Sequence, residues 1–173
     1  MRTYPAAALC LCLLVAGCSE SKVAVAPLPR EPDSHAIGYY CHMTLKEHVG
    51  PKGQILLNGS TVPLWFTSVR DALTYAQQDL NESELAGFWV NDMGQGSWEQ
   101  PAPGSWIAAK SAVYVLGSSK GAAMGGNEAV PFKKRDEAKA FVREFGGHIT
   151  DYGAALKEVA ETPVAAPGQG AMR

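Results

Sequence analysis

The sequence predicts an α+β fold made of two packed ββαβ-like halves, each a small antiparallel or mixed sheet covered by one helix. Three observations carry this. The order strand, helix, strand occurs twice along the chain. The spacing Phe66, Ala72, Tyr75 is echoed by Phe132, Ala138, Phe141, placing an aromatic just before a helix and an apolar stripe along it. Between the two copies, residues 95–105 are rich in Gly and Pro, as a joint would be. A small sheet has one apolar face to hide, and a helix laid over it is the economical cover.

The elements follow in order. Ile37–Met43 reads as a first strand, which puts Cys41 and Met43 on one face because strand side chains repeat every two residues. Lys46–Gly53 is a loop. Gln54–Leu57 and Thr61–Phe66 flank Asn58-Gly59, the signature of a two-residue hairpin, and Pro63 confines the second arm to an edge. Val69, Ala72, Leu73, Ala76 and Leu80 form a helical face, with Ser68 as its cap and Asp71 in the first turn. Leu85–Val90 is a buried strand. Trp106–Leu116 is strand-like and Ala129–Phe132 is a short strand. Residues 117–127 form the loop that carries Met124. Arg135–Phe145 is the clearest helix, lined by Ala138, Phe141, Val142 and Phe145 and stopped by Gly146. A strand near His148–Thr150 and a helix from Tyr152 to Ala160 complete the second copy.

The first residues do not belong to this fold. Arg2 precedes an apolar run, Pro5–Ala16, too short to span a bilayer comfortably. It ends in Val15-Ala16-Gly17-Cys18, which resembles a bacterial lipobox. The resemblance implies that residues 1–17 are a cleaved signal and that Cys18 is acylated, giving a stable anchor. Ser19 rather than Asp follows the cysteine, which by analogy with Gram-negative sorting favours the outer membrane facing the periplasm, with inner-membrane anchoring as the alternative. Residues 18–35, with Pro27, Pro29 and Pro32, read as a flexible tether. Residues 36–160 are the folded domain, with halves at about 36–94 and 105–160, and 161–173 are a disordered Pro, Gly and Ala tail. The chain has 15 Lys and Arg against 17 Asp and Glu. Loss of the leader removes only Arg2, and no basic stripe remains to bind nucleic acid.

Cysteine count narrows the chemistry. Cys10 and Cys12 leave with the leader and Cys18 takes lipid, so Cys41 is the thiol that remains. It has no partner for an intrachain disulfide and cannot build a Cys-rich zinc cluster. Cys41 and Met43 together are a soft donor pair, suited to Cu(I) rather than zinc or magnesium. Met124, beside Gly121, Gly125 and Gly126, sits where the backbone can fold close to an ion. His48, in the following loop, is the preferred imidazole ligand. On a strand, His42 would point away from the sulfur pair. The competing reading is packing: Cys and Met on one strand face are common core residues. Met93 is either a further ligand or a core plug. Trp89, Trp98 and Trp106 read as core and joint packing, His148 as a surface or turn residue, and His35 as tether.

Several motifs occur in a fixed order: Cys41-His-Met43, His48-Val-Gly50-Pro51-Lys52, Trp89-Val-Asn-Asp92-Met, Tyr114-Val-Leu-Gly-Ser118, Gly121-Ala-Ala-Met124-Gly125, Pro131-Phe132 and Phe145-Gly-Gly147. Together, from about Tyr39 to Tyr152, they resemble the NosL family of nitrous oxide reductase accessory lipoproteins. The resemblance implies a pair of ββαβ units and a periplasm-facing Cu(I) metallochaperone, monomeric or a weak dimer. Its implied partners are nitrous oxide reductase and the Nos ABC-transporter complex. It carries the copper-ligand role onto Cys41 and Met43 from a Cys-Gly-Met motif, and onto Met124 from a Gly-Pro-Met-Gly loop. Two positions depart from the pattern: His42 stands for the usual Gly, and Ala123 for the usual Pro.

Two rival classes remain. A Cys-dependent enzyme would need Cys41 activated by His42, His48 or His148, and the expectation is that the chain is not an enzyme. A structural or scaffolding lipoprotein of the same machinery would simply bury the thiol.

Overall fold

The computed structural model describes residues 27–123 and 125–162. Apolar alternation builds the first sheet. β1 (Gly53–Leu57) pairs antiparallel with β2 (Leu64–Phe66) on one side and with β3 (Leu85–Asn91) on the other. β4 (Trp106–Ala108) adds to the far side of β3, so the order is β2-β1-β3-β4. The second sheet places β5 (Val113–Leu116) between β6 (Val130–Phe132) and β7 (His148–Thr150), again antiparallel. α1 (Val69–Gln78) links β2 to β3, and α2 (Arg135–Phe145) links β6 to β7. Each half therefore runs ββαβ, as the sequence predicts; its first strand has neighbours on both sides, and both sheets are wholly antiparallel.

The aromatic echo has a structural counterpart. Phe66 and Phe132 close their strands, are buried, and pack in tilted pairs against Tyr75 and Phe141 at ring separations of 5.5 Å and 5.3 Å. Ala72 and Ala138 are fully buried at the matching helical positions. Gly53 lets α1 approach the sheet, because a Cβ there would lie 2.5 Å from the Ala72 Cβ. Ser68 caps α1 as expected, accepting from the Asp71 N–H at 3.0 Å.

The two halves share one core. Along β5, Tyr114 and Leu116 face the cluster of Ile55, Phe66, Leu73 and Val90. Val115, between them, joins Val130, Phe132 and Ala138 beneath α2. Buried on both faces, β5 is thus an inner layer. α3 (Tyr152–Glu161) packs against α1 and contributes Ala155 and Val159 to the first core.

Four local expectations need correction. Ile37–Met43 is not a strand. Only Ile37 and Gly38 make isolated bridges, to Thr44 and Trp65, and the intervening residues turn sharply. The hairpin after β1 is wider than two residues: the ladder resumes at Leu64, and 58–63 is loop. Pro63 has no N–H to continue the pairing inward. Trp106–Leu116 is not one strand, because the short turn Ala109–Ser111 breaks it and hands β4 to the first sheet and β5 to the second. The first sheet therefore extends past the boundary drawn near residue 105. Finally, the segment assigned to the tether is held from Arg30 onward. Arg30 exchanges two 2.9 Å hydrogen bonds with the buried Gln54 side chain, and Glu31 accepts from the Trp106 indole at 2.9 Å.

Candidate metal centre

Cys41 lies in a turn closed by two backbone bonds, Gly38 N–H to Met43 O and His42 N–H to Gly38 O, each 2.9 Å. Leu45 N–H to Ala36 O at 3.0 Å ties the base, and Tyr39 N–H to Trp65 O at 2.7 Å joins the turn to the edge of β2. Cys41 and Met43 therefore belong to one closed turn and not to one face of a strand. Gly38 is required for this: a Cβ there would sit 2.6 Å from the Cys41 sulfur. Cys41 is half-buried with Sγ 3.5 Å from the Thr67 hydroxyl, whereas Met43 is 37% exposed. A soft ion held here would be within reach of an incoming partner's donors.

Two tyrosines clamp the turn onto the first half. The Tyr39 ring lies 5.9 Å from Phe66 and 5.3 Å from Tyr75, and the Tyr40 ring lies 5.7 Å from Phe66. The Tyr40 hydroxyl donates to Asp79 at 3.0 Å. Burial first, then that carboxylate, pushes the Tyr40 phenol up from its ordinary value, so it stays a donor.

The loop that carries Met124 is anchored to the same helix start. Met124 itself lies outside the described residues, but its neighbours form a small hairpin. Ala122 N–H bonds Gly126 O at 2.9 Å, and Glu128 N–H bonds Lys120 O at 2.9 Å. The Glu128 carboxylate, fully buried, accepts from Arg70 N–H at 2.9 Å and from Ala129 N–H at 2.8 Å. The Arg70 guanidinium donates to Asn127 O at 3.2 Å and to Thr162 O. Thr67 beside the thiol and Arg70 beside this loop are three residues apart, on either side of the Ser68 N-cap of α1.

Burial lifts the Glu128 carboxyl to about 8 and lowers Lys52 to about 8, each partly offset by the other's charge. Lys52 donates to Val49 O at 3.0 Å and Gly50 O at 2.6 Å.

His48 is not in this group. Its ring lines a cavity of about 560 Å³ with Glu31, Lys52, Asn91 and Trp106, and no residue of the 37–44 turn contributes to that wall. Its Nε2 is buried and has no hydrogen-bond partner among the described residues. Met93 packs against the core beneath α2. His148 is exposed and bonds Glu158 at 2.9 Å, and His35 is exposed near Asp33. Trp98 packs with the second core, and Trp106 with Trp65 on the outer face of the first sheet. Cys18 lies outside the described residues. Among those described, no group of three or more His, Cys, Asp or Glu side chains is placed to hold a metal. The positioning residues Gly38, Thr67, Arg70 and Glu128 were missed from sequence. An acid next to the apolar run Ala129–Phe132 was the available sign that Glu128 is buried.

The NosL family model matches residues 29–160. The copper-binding lipoprotein NosL of Achromobacter cycloclastes is 44% identical over 156 residues, covering 89% of this chain and 78% of that protein. The protein of the same name from Stutzerimonas stutzeri is 35% identical over 111 residues, covering 64% of this chain and 57% of that protein. The crystal structure of the copper chaperone NosL from Shewanella denitrificans superposes with a TM-score of 0.68 at 28% identity, covering 73% of this chain and 93% of that one. The chain belongs to the NosL family.

Proposed function

We propose that this protein is a periplasm-facing lipoprotein that binds one Cu(I) and delivers it for copper-centre assembly in nitrous oxide reductase, working with the Nos ABC-transporter complex. The observation that carries this reading is the turn that presents Cys41 and Met43 together at the start of α1, where the Met124 loop is also anchored. A thiolate with two thioethers is a donor set that prefers a soft monovalent ion. The names of the relatives, copper-binding lipoprotein and copper chaperone, agree with it. The link to nitrous oxide reductase rests on the family resemblance in the ordered motifs.

The chemistry is carriage rather than catalysis. Cys41 supplies the charge-neutralising ligand and releases its proton when the ion binds. Met43 and Met124 need no deprotonation and exchange readily, so an acceptor can replace them one at a time. Acylation of Cys18 would anchor the domain to the outer membrane, facing the periplasm, with the inner membrane as the alternative. Competition with a Cu(I) chelator tests the site: Cys41→Ser should weaken retention by at least a hundredfold. Met124→Leu, similar in volume but without sulfur, should weaken it less. Unchanged affinity in Cys41→Ser would remove the proposed site.

A further inference from the structure

The cavity of about 560 Å³ beside β4 shares no residue with the 37–44 turn, and its volume falls within the range of about 300–1,000 Å³ usual for small-molecule sites. Its wall is held by hydrogen bonds. The Glu31 carboxylate accepts from the Trp106 indole N–H and the Gly104 N–H, each at 2.9 Å, and so fixes one side. Asn91 accepts from the Lys52 N–H at 2.9 Å and donates to the Ser105 hydroxyl at 3.2 Å, which fixes the buried polar side. Leu45, Pro101, Pro103 and Trp106 supply apolar surface.

Two polar vacancies occur in that wall. Lys52 is only 7% exposed, yet it forms no ion pair among the described residues. An ammonium has three N–H donors, and Lys52 spends two of them, on Val49 O at 3.0 Å and Gly50 O at 2.6 Å. Glu128 acts on it through space, but burial keeps that carboxyl largely protonated at neutral pH. A buried cation without a counter-ion is costly. His48, one residue before Val49, leaves its buried Nε2 without a partner among the described residues. Such atoms are rare in folded proteins. A carboxylate answers both vacancies, because it balances the ammonium and has a second oxygen to accept an imidazole N–H. An inorganic anion would leave Leu45, Trp106 and the prolines uncovered. Glu31 and Glu99, both exposed, oppose a second negative charge on the ligand.

We propose that this cavity is a binding site for a small organic monocarboxylate, with the carboxylate on Lys52 and His48 and the apolar body along Trp106. The site is separate from the copper reading and does not depend on it. Nitrogen–proton NMR of the full chain tests it, with phenylacetate and hexanoate as probes and their uncharged amides as controls. At millimolar concentration at least one of the two acids should shift the Trp106 indole N–H saturably, a signal assigned by its loss in Trp106→Phe. The matching amide should bind at least tenfold more weakly. Lys52→Met, which keeps the apolar stem without the charge, should weaken the acid at least tenfold. His48→Phe, which keeps a ring without the nitrogens, should weaken it less. Both variants should retain Cu(I) against a chelator as the wild type does. No saturable shift with either acid, or equal binding of acid and amide, overturns the proposal. Undiminished acid binding in a folded Lys52→Met protein overturns it as well, and loss of Cu(I) from that protein would overturn the separation of the two sites. The acid and amide titrations need no variant, so they decide the matter even where Lys52→Met fails to fold.

Discussion

Gly38 sets how closely the backbone can approach the thiol. With a Cβ placed 2.6 Å from the Cys41 sulfur and 2.9 Å from the Thr67 methyl, Gly38→Ala has to displace both. The backbone of the turn is fixed by four hydrogen bonds, so the two side chains yield, the sulfur, at the shorter distance, the most. Gly38→Ala should therefore cost about 1–3 kcal/mol in a urea unfolding series and weaken Cu(I) retention about tenfold. Wild-type values for both would mean that the contact does not constrain the site. At this scale the sequence was only partly legible. Cys41 and Met43 stood out by their chemistry, but the strand expected around them does not form. A run of tyrosines and an isoleucine favours extended structure, and the turn instead comes from the left-handed His42 and the pull of Trp65 on Tyr39. Neither leaves a mark in a short apolar pattern. The preference for His48 followed from the same mistaken strand.

At the scale of the element, α1 organises the site through its first turn. Ser68, Thr67 and Arg70 attach the cap, the thiol and the Met124 loop in that one place. Removing the cap by Ser68→Ala should cost about 1 kcal/mol, read as a lower thermal midpoint. The Glu128 tie is pH-dependent. Its carboxyl is lifted to about 8 by burial, above the ordinary carboxylate value of about 4.3 in an unfolded chain. Between those values the native state keeps a proton that the unfolded chain releases. The contribution is complete below the unfolded value and is lost as pH rises through 8. Lys52 acts in the window above, where its lowered value lets the folded state shed a proton first and stability recovers. Glu128→Gln keeps the accepting oxygen and should flatten the fall in urea midpoint between pH 5 and 8. An equally steep fall in the variant would assign that dependence to another group. The helices were the most legible elements, because α1 and α2 carry apolar residues at helical spacing and end on a cap or a glycine. The strands were harder. β4 and β5 run together in the sequence, and the Ala109–Ser111 turn between them carries no glycine or proline to mark it.

Across the whole molecule, the two ββαβ halves are repeats in topology but a single unit in packing. β5 gives alternate side chains to both cores, and α3 returns from the second half to cover α1. Truncating the buried Tyr114, whose hydroxyl also donates to Ala109 O at 2.8 Å, should destabilise the protein by about 3–5 kcal/mol. Tryptophan fluorescence from the first sheet and helical circular dichroism should still fall in one transition. Two separated transitions would show halves that fold independently. The doubled architecture could be read from the Phe66 and Phe132 echo, but the shared core could not, because nothing local in Tyr114 or Val115 says which side each will face. Cys18, where the lipid anchor is expected, lies outside the described residues, among which no helix is long and apolar enough to cross a bilayer.

All of these scales meet in one claim, that the turn at the start of α1 is a cradle for monovalent copper. Metal analysis of the reduced protein after anaerobic Cu(I) loading and desalting measures this most directly. The expected result is one copper per chain in the wild type, and almost none in a Cys41→Ser protein with an unchanged circular dichroism spectrum. Equal copper in the two proteins would contradict the account.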